Sequence, residues 1–147
     1  WHRIGEARKN VAHLPFLVNG DIVTPELARE AMDIAGADGV LIGRGGLGNP
    51  WVFKQVEHYL KTGVKLPEVT MQDRIDTVRK HARLQVEHYG ERGLVKLRKH
   101  LPWYFKGLNT GDLKSKLVRI NALAELDEAL ALINEPQVDG RANLALA

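Results

Sequence analysis

FLVNGDIVTPELAREAMDIAGADGVLIGRGGLGNPW, residues 16–51, decides the fold class of this chain. Phe16-Leu17-Val18 is a short apolar run suited to a parallel strand, which is covered on both faces. Asn19-Gly20-Asp21 follows as a turn. Thr24-Pro25-Glu26 then supplies an N-cap, a proline at the first helical position and an acid in the first turn. Leu27, Ala28, Ala31, Met32 and Ala35 form a stripe at helical spacing, and Gly36 can take the left-handed stop. Gly39-Val40-Leu41-Ile42-Gly43 reads as the next strand. Arg44-Gly45-Gly46-Leu47-Gly48 is a glycine-rich loop, and Asn49-Pro50 is expected to cap a helix with Trp51, Val52, Val56, Tyr59 and Leu60 inward. Strand, helix, strand, helix belongs to a parallel α/β sheet with right-handed crossovers.

Upstream, Trp1, Ile4, Ala7 and Val11 recur at helical spacing, and Pro15 ends that pattern. Trp1 already lies inside it, so a natural start at this residue is not expected. Downstream, residues 63–69 read as a linker. Thr70 with Asp73 makes a capping-box start. Met71, Ile75, Val78, Ala82, Val86 and Tyr89 run along one face as far as Gly90. Leu94, Leu97, Leu101 and Phe105 predict a second helix, kinked at Pro102. Residues 112–120 and 122–134 read as two more, split near Asn121. Four short helices point to a bundle over residues 70–135. From Pro136 to Ala147 the pattern is lost, and a flexible tail is expected.

The 147 residues are 44% hydrophobic and 27% charged, which is a globular composition. There is no cysteine, hence no disulfide, thiolate metal site or thiol nucleophile in this chain. No apolar run is long enough to span a membrane. No signal peptide is visible, and a cytoplasmic setting is expected. Charge is unevenly spread. Residues 1–69 are balanced, whereas residues 70–121 carry 12 basic against 5 acidic side chains, net +7. A segment this basic points to a polyanionic partner, against the plainer reading of a solvated helical face.

The chemistry is expected at the two strand ends. In parallel α/β barrels ligands bind at the carboxyl ends of the strands, and the last two loops often form a phosphate site. Here those ends carry Asn19-Gly20-Asp21 and Gly43-Arg44-Gly45-Gly46. Glycines let backbone N–H groups approach phosphate oxygens, and an arginine adds charge-assisted hydrogen bonds. The plainer reading is that the glycines only make tight turns. Arg92, Lys96, Arg98, Lys99 and Lys106 cluster beside His100, Trp103 and Tyr104. Basic side chains neutralise phosphates, and exposed aromatics stack on unpaired bases. Against this, Trp103 and Tyr104 can pack a core, and one of Arg98 and Lys99 can point inward. His81 and His88 share a helical face without a third ligand at metal spacing, so no metal is expected.

Asn19-Gly20-Asp21, Gly43-Arg44 and Gly48-Asn49-Pro50-Trp51 resemble the carboxy-terminal part of the bacterial tRNA-dihydrouridine synthases, nearest the B-type branch. The resemblance continues through Glu57-His58-Tyr59-Leu60-Lys61-Thr62-Gly63 and returns at Arg98-Lys99-His100-Leu101-Pro102-Trp103-Tyr104. It implies the last two βα units of an FMN-binding TIM barrel over residues 1–62, followed by a helical tRNA-binding domain over residues 70–135. It implies FMN as cofactor, NADPH as reductant and reduction of uridine to dihydrouridine in tRNA. It also implies that Asn19, Gly20, Asp21, Gly43 and Arg44 contact FMN, around its ribityl and phosphate end. Arg92, Lys96, Arg98, Lys99 and His100 are the expected RNA contacts.

The family's acid catalyst is a cysteine on an earlier barrel loop, and its flavin-lining lysine and histidine also come from earlier strands. None has a counterpart here. A whole barrel needs about 250 residues. The chain therefore reads as a carboxy-terminal fragment, without catalytic residues of its own and inactive alone. Unpaired barrel edges predict self-association. Two other readings stay open: a fragment of another FMN or phosphate-binding barrel oxidoreductase, and a non-catalytic nucleic-acid-binding helical module. Flavin bound by the full-length parent separates the first two readings from the third, and tRNA binding separates the first from the second.

Overall fold

The computed structural model describes residues 1–11 and 13–133. The chain divides between Val69 and Thr70 into two compact units.

The first unit runs α1 (His2–Arg8), a 3-10 turn (Lys9–Val11), β1 (Leu17–Val18), α2 (Pro25–Ala35), β2 (Gly39–Val40), a 3-10 turn (Arg44–Gly46) and α3 (Trp51–Thr62). The two strands pair in parallel, Leu17 with Gly39 and Val18 with Val40. Asp38 fixes where the pairing starts. Its carboxylate accepts from the Phe16 N–H at 2.8 Å and meets Arg8 at 3.1 Å. α2 begins and ends on its own local signals. Thr24 accepts from the Leu27 N–H, Pro25 opens the helix, and Gly36 sits at φ 59°, a left-handed conformation with little cost only for glycine. Ala28, Ala31 and Ala35 on α2 are buried with Val18, Ile22, Val52 and Val56. Small residues on α2 let its neighbours come close. A Cβ on Gly5 of α1 would already lie 3.1 Å from the Ile34 carbonyl oxygen.

Two expectations about this unit are corrected. β2 stops at Val40 instead of reaching Gly43. Its partner β1 ends at Val18, where Gly20 (φ 120°) and Asp21 (φ 49°) turn the chain away. Asn49 does not cap α3 with its side chain. Pro50 occupies that position, and Asn49 contributes only its carbonyl, which accepts from Val52.

The second unit is helical throughout its described residues: α4 (Met71–Tyr89), α5 (Arg92–Leu97), a 3-10 helix (Leu101–Phe105), α6 (Leu113–Leu117) and α7 (Leu123–Ala131). The Thr70–Asp73 capping box is formed in both directions. Its two partners hold the Asp73 carboxyl below the usual aspartate range, the Thr70 hydroxyl chiefly and the Thr70 N–H in addition. Ile75, Val78 and Ala82 of α4 are buried, as are Leu94, Leu97, Leu101, Phe105, Leu117, Leu126 and Leu130 from the segments packed around it. Side chains reinforce these contacts. Arg74 donates to the Tyr104 carbonyl at 2.8 Å, and Arg79 of α4 meets Asp127 of α7 at 2.6 Å.

The expected kinked helix through residue 105 is instead two segments. α5 ends at Leu97, and Pro102 lies in the first turn of the 3-10 helix. Proline lacks the N–H a continuing helix needs and crowds the preceding turn, so the chain breaks before it. Tyr89, expected on the buried stripe, is 53% exposed. It is the last residue of α4. The tail expected from Pro136 lies outside the described residues.

Candidate functional site

The loops that leave β1 and β2 are brought together by a glycine with no room for a side chain. A Cβ on Gly45 would fall 2.1 Å from the carbonyl oxygen of Ile22 and 3.3 Å from Ile42 Cγ2. Ile22 itself is buried in the core. The backbone of the glycine-rich loop therefore rests directly on the segment that follows β1. Arg44, beside it, donates to the Asp21 carboxylate across 23 residues of sequence, at 2.5 Å. Both side chains are open to solvent, Arg44 at 82%. Trp1 closes the other side of the first loop by donating its indole N–H to the Gly20 carbonyl at 3.0 Å.

Of the five residues expected at this site, Asp21 and Arg44 thus touch, Asn19 and Gly20 lie on the same exposed turn, and Gly43 opens the 3-10 turn that carries Arg44. The glycine-rich loop spends some of its own donors. Gly46 N–H bonds the Gly43 carbonyl at 3.0 Å and Leu47 N–H bonds the Arg44 carbonyl at 3.1 Å. The guanidinium, rather than those two amides, is the group free to be redirected toward an anion. Exchanging an exposed carboxylate partner for a phosphate costs little, because surface ion pairs contribute roughly 0–1 kcal/mol.

The basic set of the second unit separates into different roles. Arg92, Lys96 and Lys99 are exposed. Lys96 lies over the Tyr89 ring, its ammonium 4.9 Å from the centroid. Arg98 turns to the protein instead, donating to the Ile120 carbonyl at 2.5 Å and to the Asn121 side chain. His100 is half-buried, edge-on to Trp103 at 4.8 Å. The aromatic pair also divides. Tyr104 is buried, with its hydroxyl 2.8 Å from His81 Nδ1, whereas Trp103 is 39% exposed. Burial pushes the Tyr104 phenol up and the His81 imidazole down, and nearby His100 lowers His81 further. A second basic cluster escaped the sequence reading. Arg79, Lys80 and Arg83 line an open groove with Leu84, Asp76 and Asp127. The i, i+1, i+4 spacing of its cations was the available signal. Among the described residues, no group of three or more histidines and carboxylates is placed to hold a metal ion, and no helix is long and apolar enough to cross a membrane.

A family model described as dihydrouridine synthase (Dus) matches residues 1–137. A "Probable tRNA-dihydrouridine synthase" of Rickettsia bellii (strain RML369-C) is 37% identical over 129 residues, covering 87% of this chain and 36% of the relative. One of the same description from Mycobacterium leprae (strain TN) is 38% identical over 130 residues, 86% of this chain and 34% of the relative. A "tRNA-dihydrouridine synthase B" of Shewanella oneidensis is 34% identical over 121 residues, 82% of this chain and 38% of the relative. The chain thus spans little more than a third of the length of these relatives. With the family model matched over nearly all of its length, the chain belongs to the dihydrouridine synthase family.

Proposed function

We propose that this chain is the carboxy-terminal part of an FMN-dependent tRNA-dihydrouridine synthase, in which residues 1–62 complete a TIM barrel and residues 70–135 form a helical tRNA-binding domain. The parent enzyme reduces the 5,6 double bond of uridine in tRNA at the expense of NADPH. The observation that carries this reading is the seating of Gly45 on Ile22, which gathers two strand-end loops and presents Arg44 and Asp21 together. A flavin nucleotide fits that donor set. Arg44 supplies a charged hydrogen bond for its phosphate, and Asp21 and Asn19 supply acceptors and donors for ribityl hydroxyls. The start of α3, which has no side-chain cap, adds a favourable dipole for an anion. FMN, when bound, supplies the hydride chemistry. The residues here hold it and leave proton donation to the cysteine that the family carries on an earlier loop. The 147-residue chain alone is therefore inactive. It also self-associates, because Leu17 and Leu41 beside the short sheet are exposed.

The test is flavin occupancy of the full-length parent, wild type and Arg44→Ala. A lost charged hydrogen bond is worth about 1.5–3 kcal/mol, so FMN affinity falls roughly 10- to 150-fold. A parent without flavin absorbance overturns the reading. Unchanged affinity in the variant removes Arg44 from the site.

A further inference from the structure

Tyr89 ends α4 with half its surface exposed, although the period of the helix assigns it to the apolar face. Gly93 sets what lies beside it. A Cβ there would come within 2.3 Å of the Gln85 carbonyl oxygen and 3.3 Å of Tyr89 Cβ, so α5 lies directly against the last turn of α4. That contact places the Lys96 ammonium over the Tyr89 ring, and the His88 ring meets Tyr89 edge-on at 4.6 Å. Arg92 and Lys96 stand four apart on α5, the repeat of one helical face, and Lys99 follows two residues past its end. All three are exposed, and none makes an ion pair among the described residues. Glu87 and Glu91 are the acids nearest in sequence, and three cations outnumber them.

We propose that Tyr89 and Lys96 form a shelf on which one unpaired base of an RNA strand stacks, with Arg92 and Lys99 holding the adjoining phosphates. The inference rests on the RNA-binding reading above and names where and how that binding is made. Three cations without carboxylate partners among the described residues fit a polyanion. An exposed ring beneath an ammonium offers a π-face to a base of any identity and adds an electrostatic attraction to the stack. A duplex keeps its bases inside and has nothing to place there, so the shelf distinguishes single-stranded loops and ends from paired stems.

Binding of the 147-residue chain to an oligouridylate of roughly ten nucleotides, to a duplex RNA of equal length and to tRNA tests this by fluorescence anisotropy across a salt series. Tyr89→Ala is expected to lower oligouridylate affinity roughly 5- to 150-fold while leaving duplex affinity and the salt slope unchanged. Tyr89→Trp restores it. Arg92→Ala is expected to reduce the slope by about 0.7 for a single strand. Wild-type affinity in Tyr89→Ala overturns the shelf and leaves the RNA reading standing. An equal loss on duplex and single strand also overturns it, because a ring that only shapes the surface would act on both. A wild-type chain that binds none of the three RNAs overturns both.

Discussion

Gly45→Ala isolates the contact on which the candidate cofactor site depends. The added methyl would lie 2.1 Å from the Ile22 carbonyl oxygen, 3.1 Å from the Ile22 carbonyl carbon and 3.3 Å from Ile42 Cγ2. Comfortable separation is roughly 3.5 Å, so the first contact is well over an ångström too short. The obstacle is backbone, and its residue is buried, so no rotamer change relieves it. Either the Arg44–Gly46 turn or the Ile22 segment must move. Such overpacking costs typically 1–3 kcal/mol. In a unit of this size each kcal/mol shifts the melting temperature by roughly 4–8 °C. The movement also draws Arg44 away from Asp21. Gly46→Ala is the internal comparison. Its nearest neighbours are Phe53 ring carbons at 3.0 Å, and that ring is exposed and can swing aside. The expected cost is within about 0.5 kcal/mol. Trp1 and Trp51 belong to the first unit and Trp103 to the second. Denaturation followed by tryptophan fluorescence in a Trp103→Phe background therefore reports the first unit alone. If Gly45→Ala melts with wild type, or no lower than Gly46→Ala, the two loops are not held by this contact.

Replacing Arg92 and Lys99 together by Ala should reduce the salt slope of RNA binding by roughly 1.4–1.8, at about 0.7–0.9 per phosphate contact. Changing Lys61 and Lys65, each already paired with a glutamate, should leave that slope unchanged, and a salt titration of tRNA binding measures both. His81 has its pKa lowered in the folded state by burial and by His100, so the unfolded chain binds more protons near and below its ordinary value of about 6.5. The stability that neutral His81 contributes is therefore present above that pH and is lost as pH falls through the folded pKa. His81→Gln should flatten the decline in unfolding free energy between about pH 7 and 5, and denaturant titrations at several pH values that give parallel curves for both proteins would refute it.

What was legible in the sequence is what a few neighbouring residues decide. Thr24, Pro25 and Gly36 delimit α2 because a cap, a fixed φ and a left-handed stop each act within one turn. Thr70 and Asp73 open α4 for the same reason. Parallel pairing of residues 17–18 with 39–40 followed from the order of elements. The length of β2 did not, since a strand extends only as far as its partner. Within Arg44-Gly45-Gly46 the two glycines are alike on paper, yet one abuts the carbonyl of a buried residue and the other an exposed ring. That difference belongs to the packing of Ile22, more than 20 residues away in sequence. The basic set is a different case. At about 100° per residue, positions 92, 96 and 99 fall within roughly 60° of one another, and position 98 lies roughly 120° from position 92. Spacing alone thus set Arg98 apart from the other three, and the structure gives it the Ile120 carbonyl and Asn121 as partners. Clustering in sequence grouped five residues by charge, whereas the helical repeat sorts them by face. Only the face decides which of them a phosphate can reach.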